Sequence, residues 1–428
     1  MGDISNRELE GLRNSVQELS ALNEIAAAIN LSMSVNKITQ TILACCLKKI
    51  MAEEGALFLL EEDIAETDKF RTFIRKWSAS DRKTPFHLHE SLVGWMIKHK
   101  SIFVMNDPDK EKRFSGFDFG KLGLNSLLAA PLISRHKLIG VLVMFNKRDP
   151  GGFSESDKRF LGIVGTQTAT VIANARLFEK EQKLLVIEEE MRLAKSIQEN
   201  YLPRQNLETA EYEILGFSSP AKEVGGDYWD MIRLNEDRVF VSVGDVSGKG
   251  IPAALLAAQS LAILRSQLRA DPNIEIGELT NHLNRLFFES SMPGQFMTSF
   301  LATYDAVERR LCYVNAGHMP PFVLSAKGRI QILKTSNLII GVLPNSSYTS
   351  GEVVLNPGDT LFMWTDGVTE NFGPNDEEYG EDRLKAFLSS RQGSHLSLIR
   401  DDLMKDLEQF RQGSPQSDDI TFMMIKAK

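Results

Sequence analysis

The sequence predicts an α+β protein in which two globular units are joined by one long helix, and three observations predict it. Two apolar, β-prone runs, Ser126–Ile133 and Leu138–Phe145, flank the turn Ser-Arg-His-Lys, the pattern of an antiparallel hairpin. Leu184, Ile187, Met191, Ala194, Gln198 and Tyr201 then recur at 3-4-3-4-3 spacing, a helical stripe that Pro203 stops. Beyond Pro203 the composition turns β-rich, with glycine turns between the runs.

A length of 428 residues fits two or three domains at roughly 150 residues each. Hydrophobic residues at 43% and charged residues at 25% describe an ordinary globular chain. The net charge of −8 argues against nucleic acid as partner, since phosphates need concentrated Lys and Arg. Cys45, Cys46 and Cys312 make no disulfide framework, so a reducing cytoplasmic compartment is expected. The start, Met1-Gly-Asp-Ile-Ser-Asn-Arg-Glu, has no apolar h-region, and no signal peptide is expected. No run approaches the ~18 apolar residues of a membrane span, and no membrane partner is expected.

Residues 1–34 are read as an N-terminal helix with Leu9, Leu12, Val16 and Leu19 on one stripe. That stripe either pairs with a second copy or lies on its own domain. Residues 35–176 form the first unit. A helix from Ile38 to Met51 leads into a buried strand, Gly55–Leu60, and a second strand follows from Phe70 to Trp77. Ser91–His99 is read as helix and Ile102–Met105 as a short strand before the hairpin. Phe153-Ser-Glu-Ser-Asp157 opens a helix through a Ser cap with Asp three residues on. His87 and His89, taken as alternating on one strand face, could pair as ligands. Without further His or Cys nearby they read as solvated. Cys45 and Cys46 sit on an apolar helix and read as core.

Residues 177–203 are the linker, with Glu188–Glu190 and Lys195 flanking the stripe. A seam this narrow either zips onto a second copy, making a homodimer, or serves as a spacer. Residues 204–428 hold four acidic sites. Asp227 lies in Val224-Gly-Gly-Asp-Tyr-Trp-Asp230, after a strand-like run from Tyr212 to Phe217. Asp245 ends the run from Val239 and is followed by Val246-Ser-Gly-Lys-Gly250, with Pro252 in the first turn of a helix. Asp366 ends an apolar strand before Gly367, and Asp418-Asp419 precede the last strand, Ile420–Ile425. Carboxylates gathered at strand ends without His or Cys are the ligand set of a hard divalent cation, Mg²⁺ or Mn²⁺. Unneutralised, they would repel and raise one another's pKa.

Three resemblances follow. Leu122-Gly-Leu-Asn-Ser126, the hairpin, and Asn146-Lys147 with Phe153 and Asp157 resemble a GAF domain, which implies an antiparallel sheet with helices and a sensory role. Lys158 stands where the signature's final Glu would be, and the signature implies nothing about the ligand. Ser196-Ile-Gln-Glu-Asn-Tyr-Leu-Pro203 resembles the helical linker that precedes the catalytic domain of bacterial stress regulators. From about residue 200 to 426 the chain resembles the metal-dependent PPM phosphatases of the SpoIIE/RsbU type. Besides the acidic sites, the resemblance rests on Phe296-Met-Thr-Ser-Phe300, Asn315-Ala-Gly-His318 with Pro320-Pro321, Leu355-Asn-Pro-Gly-Asp359, Thr369-Glu370 and Tyr379–Leu384.

That resemblance implies an αββα sandwich and two ions, Mn²⁺ or Mg²⁺. It implies Asp227 and a bridging Asp245 as ligands, with the Val246 carbonyl assisting, and Asp366, Asp418 and Asp419 completing the set. Its chemistry is two-metal hydrolysis, in which activated water attacks phosphorus and no protein nucleophile is needed. The implied substrate is phosphoserine or phosphothreonine on a STAS-type anti-sigma-factor antagonist, with the GAF domain taking a small-molecule or protein input. Lys249 departs from the His common at its position and is a poor general acid at its ordinary pKa. His318 is a second candidate acid, but Asn-Ala-Gly-His-Met-Pro-Pro reads as a rigid turn. Cys312 lacks the basic loop of a cysteine phosphatase. A non-enzymatic adaptor binding its partner through the same fold is the competing reading. Loss of an acidic site would favour it, and all four are present. A cyclase or diesterase lacks its motifs in the second half.

Overall fold

Alternating apolar residues that face two ways organise the first unit. In the computed structural model, which describes residues 34–60, 70–76, 86–111, 113, 123–203, 205–334 and 337–428, strands β1 (Ala52–Leu60), β2 (Phe70–Lys76), β3 (Phe103–Met105), β4 (Leu127–Ser134) and β5 (Lys137–Lys147) form one antiparallel sheet. Its order is β2-β1-β5-β4-β3. Leu57, Leu59, Leu128, Ala130, Leu142 and Met144 point to the face covered by the helices Val35–Ile50 and Glu155–Tyr201. Phe58, Leu127, Ala129, Val141 and Val143 point to the other, under Leu92 and Met96 of the helix Phe86–His99. Both faces are buried, so the strands read as near-continuous apolar runs. The N-terminal helix expected within residues 1–34 falls on residues 1–33, outside the described residues, as do Trp77 and Leu122.

The hairpin joins β4 and β5 through Arg135 and His136, both at positive φ (47° and 67°), the two-residue primed turn whose twist matches the strands. The expected cap is present and reciprocal: the Ser154 hydroxyl accepts from Asp157 N–H, and the Asp157 carboxylate accepts from Ser154 N–H. Asp157 also pairs with Lys147 at 2.8 Å, both largely buried, while Asn106 brackets the Phe153 backbone. These contacts tie β5 to the start of the long helix, which gives the Asn-Lys-Phe-Asp pattern a structural explanation. One expectation is corrected. His87 and His89 belong to the helix Phe86–His99, where residues two apart do not share a face, so the strand-face pairing fails.

The helix Glu155–Tyr201 runs for 47 residues, and the chain divides into its two units between Val186 and Ile187. The second unit is two sheets face to face. One has order β14-β11-β10-β9-β8, from β8 (Tyr228–Arg233), β9 (Arg238–Val246), β10 (Met297–Asp305), β11 (Arg310–Ala316) and β14 (Gly351–Val354). The other has order β13-β12-β15-β16-β7-β6, from β6 (Leu207–Glu208), β7 (Tyr212–Ser219), β12 (Phe322–Leu324), β13 (Ile330–Ile332), β15 (Thr360–Trp364) and β16 (Ile420–Ala427). Val239, Val241, Val243, Phe300, Met363 and Met423 fill the space between them.

The outer face of the first sheet packs on the helices Ile251–Ala270 and Ile276–Ser290 through Phe240, Leu301, Leu261 and Leu283. The outer face of the second packs on Gly380–Ser390 and Leu396–Arg411 through Phe362, Phe422, Leu384 and Leu403. The unit is therefore the αββα sandwich expected. Among the described residues, Ile251–Ala270 is long and apolar enough to cross a membrane by length and mean hydropathy alone, although Gln259, Ser260 and Arg265 interrupt its apolar run. Its Ala253, Leu256, Ala257, Leu261, Leu264 and Leu268 are spent on the core beneath it.

Candidate metal centre

Pairing of the strands brings the acidic sites to one end of the sandwich. In the first sheet Tyr228, at the start of β8, lies opposite Gly244, near the end of β9, so Asp227 and Asp245 emerge side by side. In the second, Trp364 at the end of β15 lies opposite Phe422 near the start of β16, so Asp366 and Asp418-Asp419 emerge together. The two pairs meet across the sandwich, where the Thr365 hydroxyl donates to the Asp227 carboxylate at 2.7 Å.

Each carboxylate is held by local donors. Asp419 accepts from the Ala221 N–H at 2.7 Å, and the Gly226 and Asp227 N–H groups also point to it. Asp418 accepts from the Asp419 N–H at 2.9 Å and from the Lys249 ammonium at 2.8 Å. The loop before Asp227 must be glycine: a Cβ on Gly225 would stand 1.8 Å from the Asp419 carboxylate. A Cβ on Gly226 would stand 2.5 Å from the Val246 carbonyl and 3.3 Å from an Asp245 oxygen. The glycines thus leave a small cradle lined by carboxylate and carbonyl oxygens. The Gln198 side chain grips the same loop from the end of the long helix, donating to Gly225 C=O at 2.7 Å and accepting from its N–H at 3.2 Å.

The electrostatics are those of crowded acids. Burial and then Asp245 hold the Asp227 carboxyl well above the ordinary range. Asp245 is pushed up to about 7, by burial first and then by Asp366, Asp418 and Asp419. Asp366 is raised by burial and by Asp418, and Asp419 by burial, with the Ala221 N–H opposing it. Among the described residues no three His, Cys, Asp or Glu side chains are already drawn tightly enough to enclose an ion. The five acids are electrostatic neighbours around the cradle rather than a closed cage. The all-oxygen donor set, the excess of negative charge and the glycine cradle all fit a hard divalent ion.

Family comparisons agree with this geometry. The family "Stage II sporulation protein E (SpoIIE)" matches residues 235–428, and "GAF domain" matches residues 32–173. The chain carries a GAF domain and a SpoIIE-family domain. The SpoIIE-family match begins after Asp227, so that residue's membership of the site rests on the fold. Over 296 residues the chain is 28% identical to Protein IcfG of Synechocystis sp., covering 60% of this chain and 45% of that one. Over 205 residues it is 27% identical to Phosphoserine phosphatase RsbU of Bacillus subtilis, covering 47% and 60%. The chain thus spans about half the length of these curated relatives. Among solved structures, the SiaA-PP2C domain of Pseudomonas aeruginosa superposes with a TM-score of 0.51 at 24% identity, covering 57% of this chain and 98% of that domain, which shows a shared fold.

Within the SpoIIE-family domain, His318 makes its hydrogen bonds with neutral groups. Its ring is 3% exposed and meets the Thr298 hydroxyl at 2.9 Å, while its backbone N–H and C=O both bond the Asn315 amide. This is the rigid turn read in the sequence, and burial lowers the ring's pKa to about 4. Asp230 is absent from the cluster: it is buried and paired with Arg265, whose guanidinium reaches the Tyr201 carbonyl as well. Sequence reasoning missed Thr365, Gln198 and the tie between Lys249 and Asp418. The adjacent Thr365-Asp366 and the doubled Gly225-Gly226 were the available signals.

Proposed function

We propose that this protein is a metal-dependent protein serine/threonine phosphatase whose output is set by input at the GAF domain. The observation that carries the reading is the convergence of Asp227, Asp245, Asp366, Asp418 and Asp419 at one end of a SpoIIE-family sandwich. Asp227, Asp245 and the Val246 carbonyl would hold one part of a two-ion site, and Asp366, Asp418 and Asp419 the rest. Mn²⁺ or Mg²⁺, when bound, would supply charge neutralisation and water activation. The chain's own part is to hold oxygens ready: Thr365 fixes Asp227, the Ala221 N–H fixes Asp419, and Gly226 keeps the Val246 carbonyl open. Lys249, at the rim and half exposed, adds positive charge where a phosphate dianion would arrive.

The substrate proposed is a phosphorylated STAS-type protein of a bacterial partner-switching stress pathway, met in the cytoplasm by a homodimer of this chain. The phosphoserine phosphatase name of the RsbU relative supports the reaction class. The test is hydrolysis of a phosphoserine peptide and of a phosphorylated STAS protein by the full chain. Turnover is expected with Mn²⁺ or Mg²⁺ and should vanish in EDTA. Full activity after exhaustive EDTA treatment overturns the metal requirement. Tight partner binding without turnover under any ion favours the adaptor reading.

A further inference from the structure

Asp418 differs from its acidic neighbours in what already holds it. Asp227 is oriented by a hydroxyl and Asp419 by backbone N–H groups, which are neutral donors. Asp418 gives one oxygen to the Asp419 N–H and the other to the Lys249 ammonium, at 2.9 and 2.8 Å. Lys249 is delivered there by its backbone, between Gly248 and Gly250 at φ of 100° and 78°. Its ammonium is held at a second point by the Ser417 carbonyl, at 3.2 Å. Lys249 is 54% and Asp418 37% exposed, and an ion pair this wet adds little to stability. A structural strut is therefore a poor account of it. What the ammonium does do is fill an oxygen that a ligand to metal needs.

We propose that Lys249 is a tethered counter-cation, holding one coordination place on Asp418 so that a divalent ion bound through Asp418 must displace it. The inference rests on the reading of the acidic cluster as a metal site. The displaced ammonium has a flexible four-carbon stem and water beside it, so it can swing away intact. Lys249 thereby sets how tightly the ion bound through Asp418 is held, and it leaves the more deeply buried Asp227 side unaffected.

The test is calorimetric titration of the metal-stripped full chain with Mn²⁺ for the parent, Lys249→Gln, Lys249→Ala and Lys249→Arg. The Gln and Ala variants should bind the weaker Mn²⁺ about tenfold more tightly, as expected for removing one positive charge a few ångströms from the ion. The Arg variant keeps the charge and should stay near the parent. Parent binding with equal or weaker affinity in both neutral variants overturns the inference and leaves the metal site standing. Absence of saturable Mn²⁺ binding in all four proteins overturns the metal-site reading and the inference with it.

Discussion

Asp245 sits among like charges, so neutralising it should harm catalysis while easing the fold. Asp245→Asn keeps the volume and removes a partly buried carboxyl whose pKa is pushed up to about 7. In EDTA its denaturation midpoint should equal or exceed the parent's, while Mn²⁺-dependent hydrolysis falls by about 10²-fold or more; a rate within a few-fold of the parent contradicts the ligand assignment. Gly225→Ala should lose activity too, because its methyl would overlap the Asp419 carboxylate. The check is activity alongside near-native circular dichroism. His318 gives a pH signature. Its folded pKa of about 4 lies below the ordinary 6.5, so the unfolded chain takes up the proton first. That contribution is complete above pH 6.5 and is lost as pH falls towards 4, amounting to about 2 kcal/mol between pH 7.5 and 5. Urea denaturation of the parent and His318→Asn should show this loss only in the parent. At this scale the acids were legible because each abuts an apolar run. Their partners were not: Thr365 lies 138 positions from Asp227 and Lys249 169 from Asp418, and no local pattern links them.

The long helix shows what periodicity gives and withholds. Its stop at Pro203 was readable, since proline acts locally. The predicted narrow seam proves broader, because Leu184, Leu185, Val186 and Ile187 are all about half exposed. Four consecutive apolar residues cannot share one stripe, so 3-4 spacing alone understated the uncovered surface. Pairing with a second copy would cover part of it, and twofold dimers are the commonest oligomers. Ile187→Glu with Met191→Glu should cost such a dimer several kcal/mol and shift it towards monomer in light scattering. A parent already monomeric at tens of micromolar refutes the seam.

For the molecule, the sandwich was legible as a family pattern, while the contacts made by the last turns of the long helix were not. Pro203 suggested a break, yet the last turns of the long helix belong to the second unit. Leu202 packs on its core, Arg265 holds the Tyr201 carbonyl, and Gln198 holds Gly225. A fragment beginning at Ile187 should therefore fold with a higher melting temperature and higher Mn²⁺-dependent activity than one beginning at residue 204. Equal behaviour of the two fragments would show that these contacts contribute nothing. A fragment from Ile187 that fails to fold would show the division to be misplaced.

The grip of Gln198 on Gly225 has a spectroscopic consequence. The Gly225 N–H donates to the Gln198 side chain at 3.2 Å, so its exchange with solvent should be slowed only while the helix end is seated. Its deuterium uptake would time the undocking of the helix end directly, in the absence of any substrate or metal. A single glycine cross-peak could thus tell a seated helix from a lifted one.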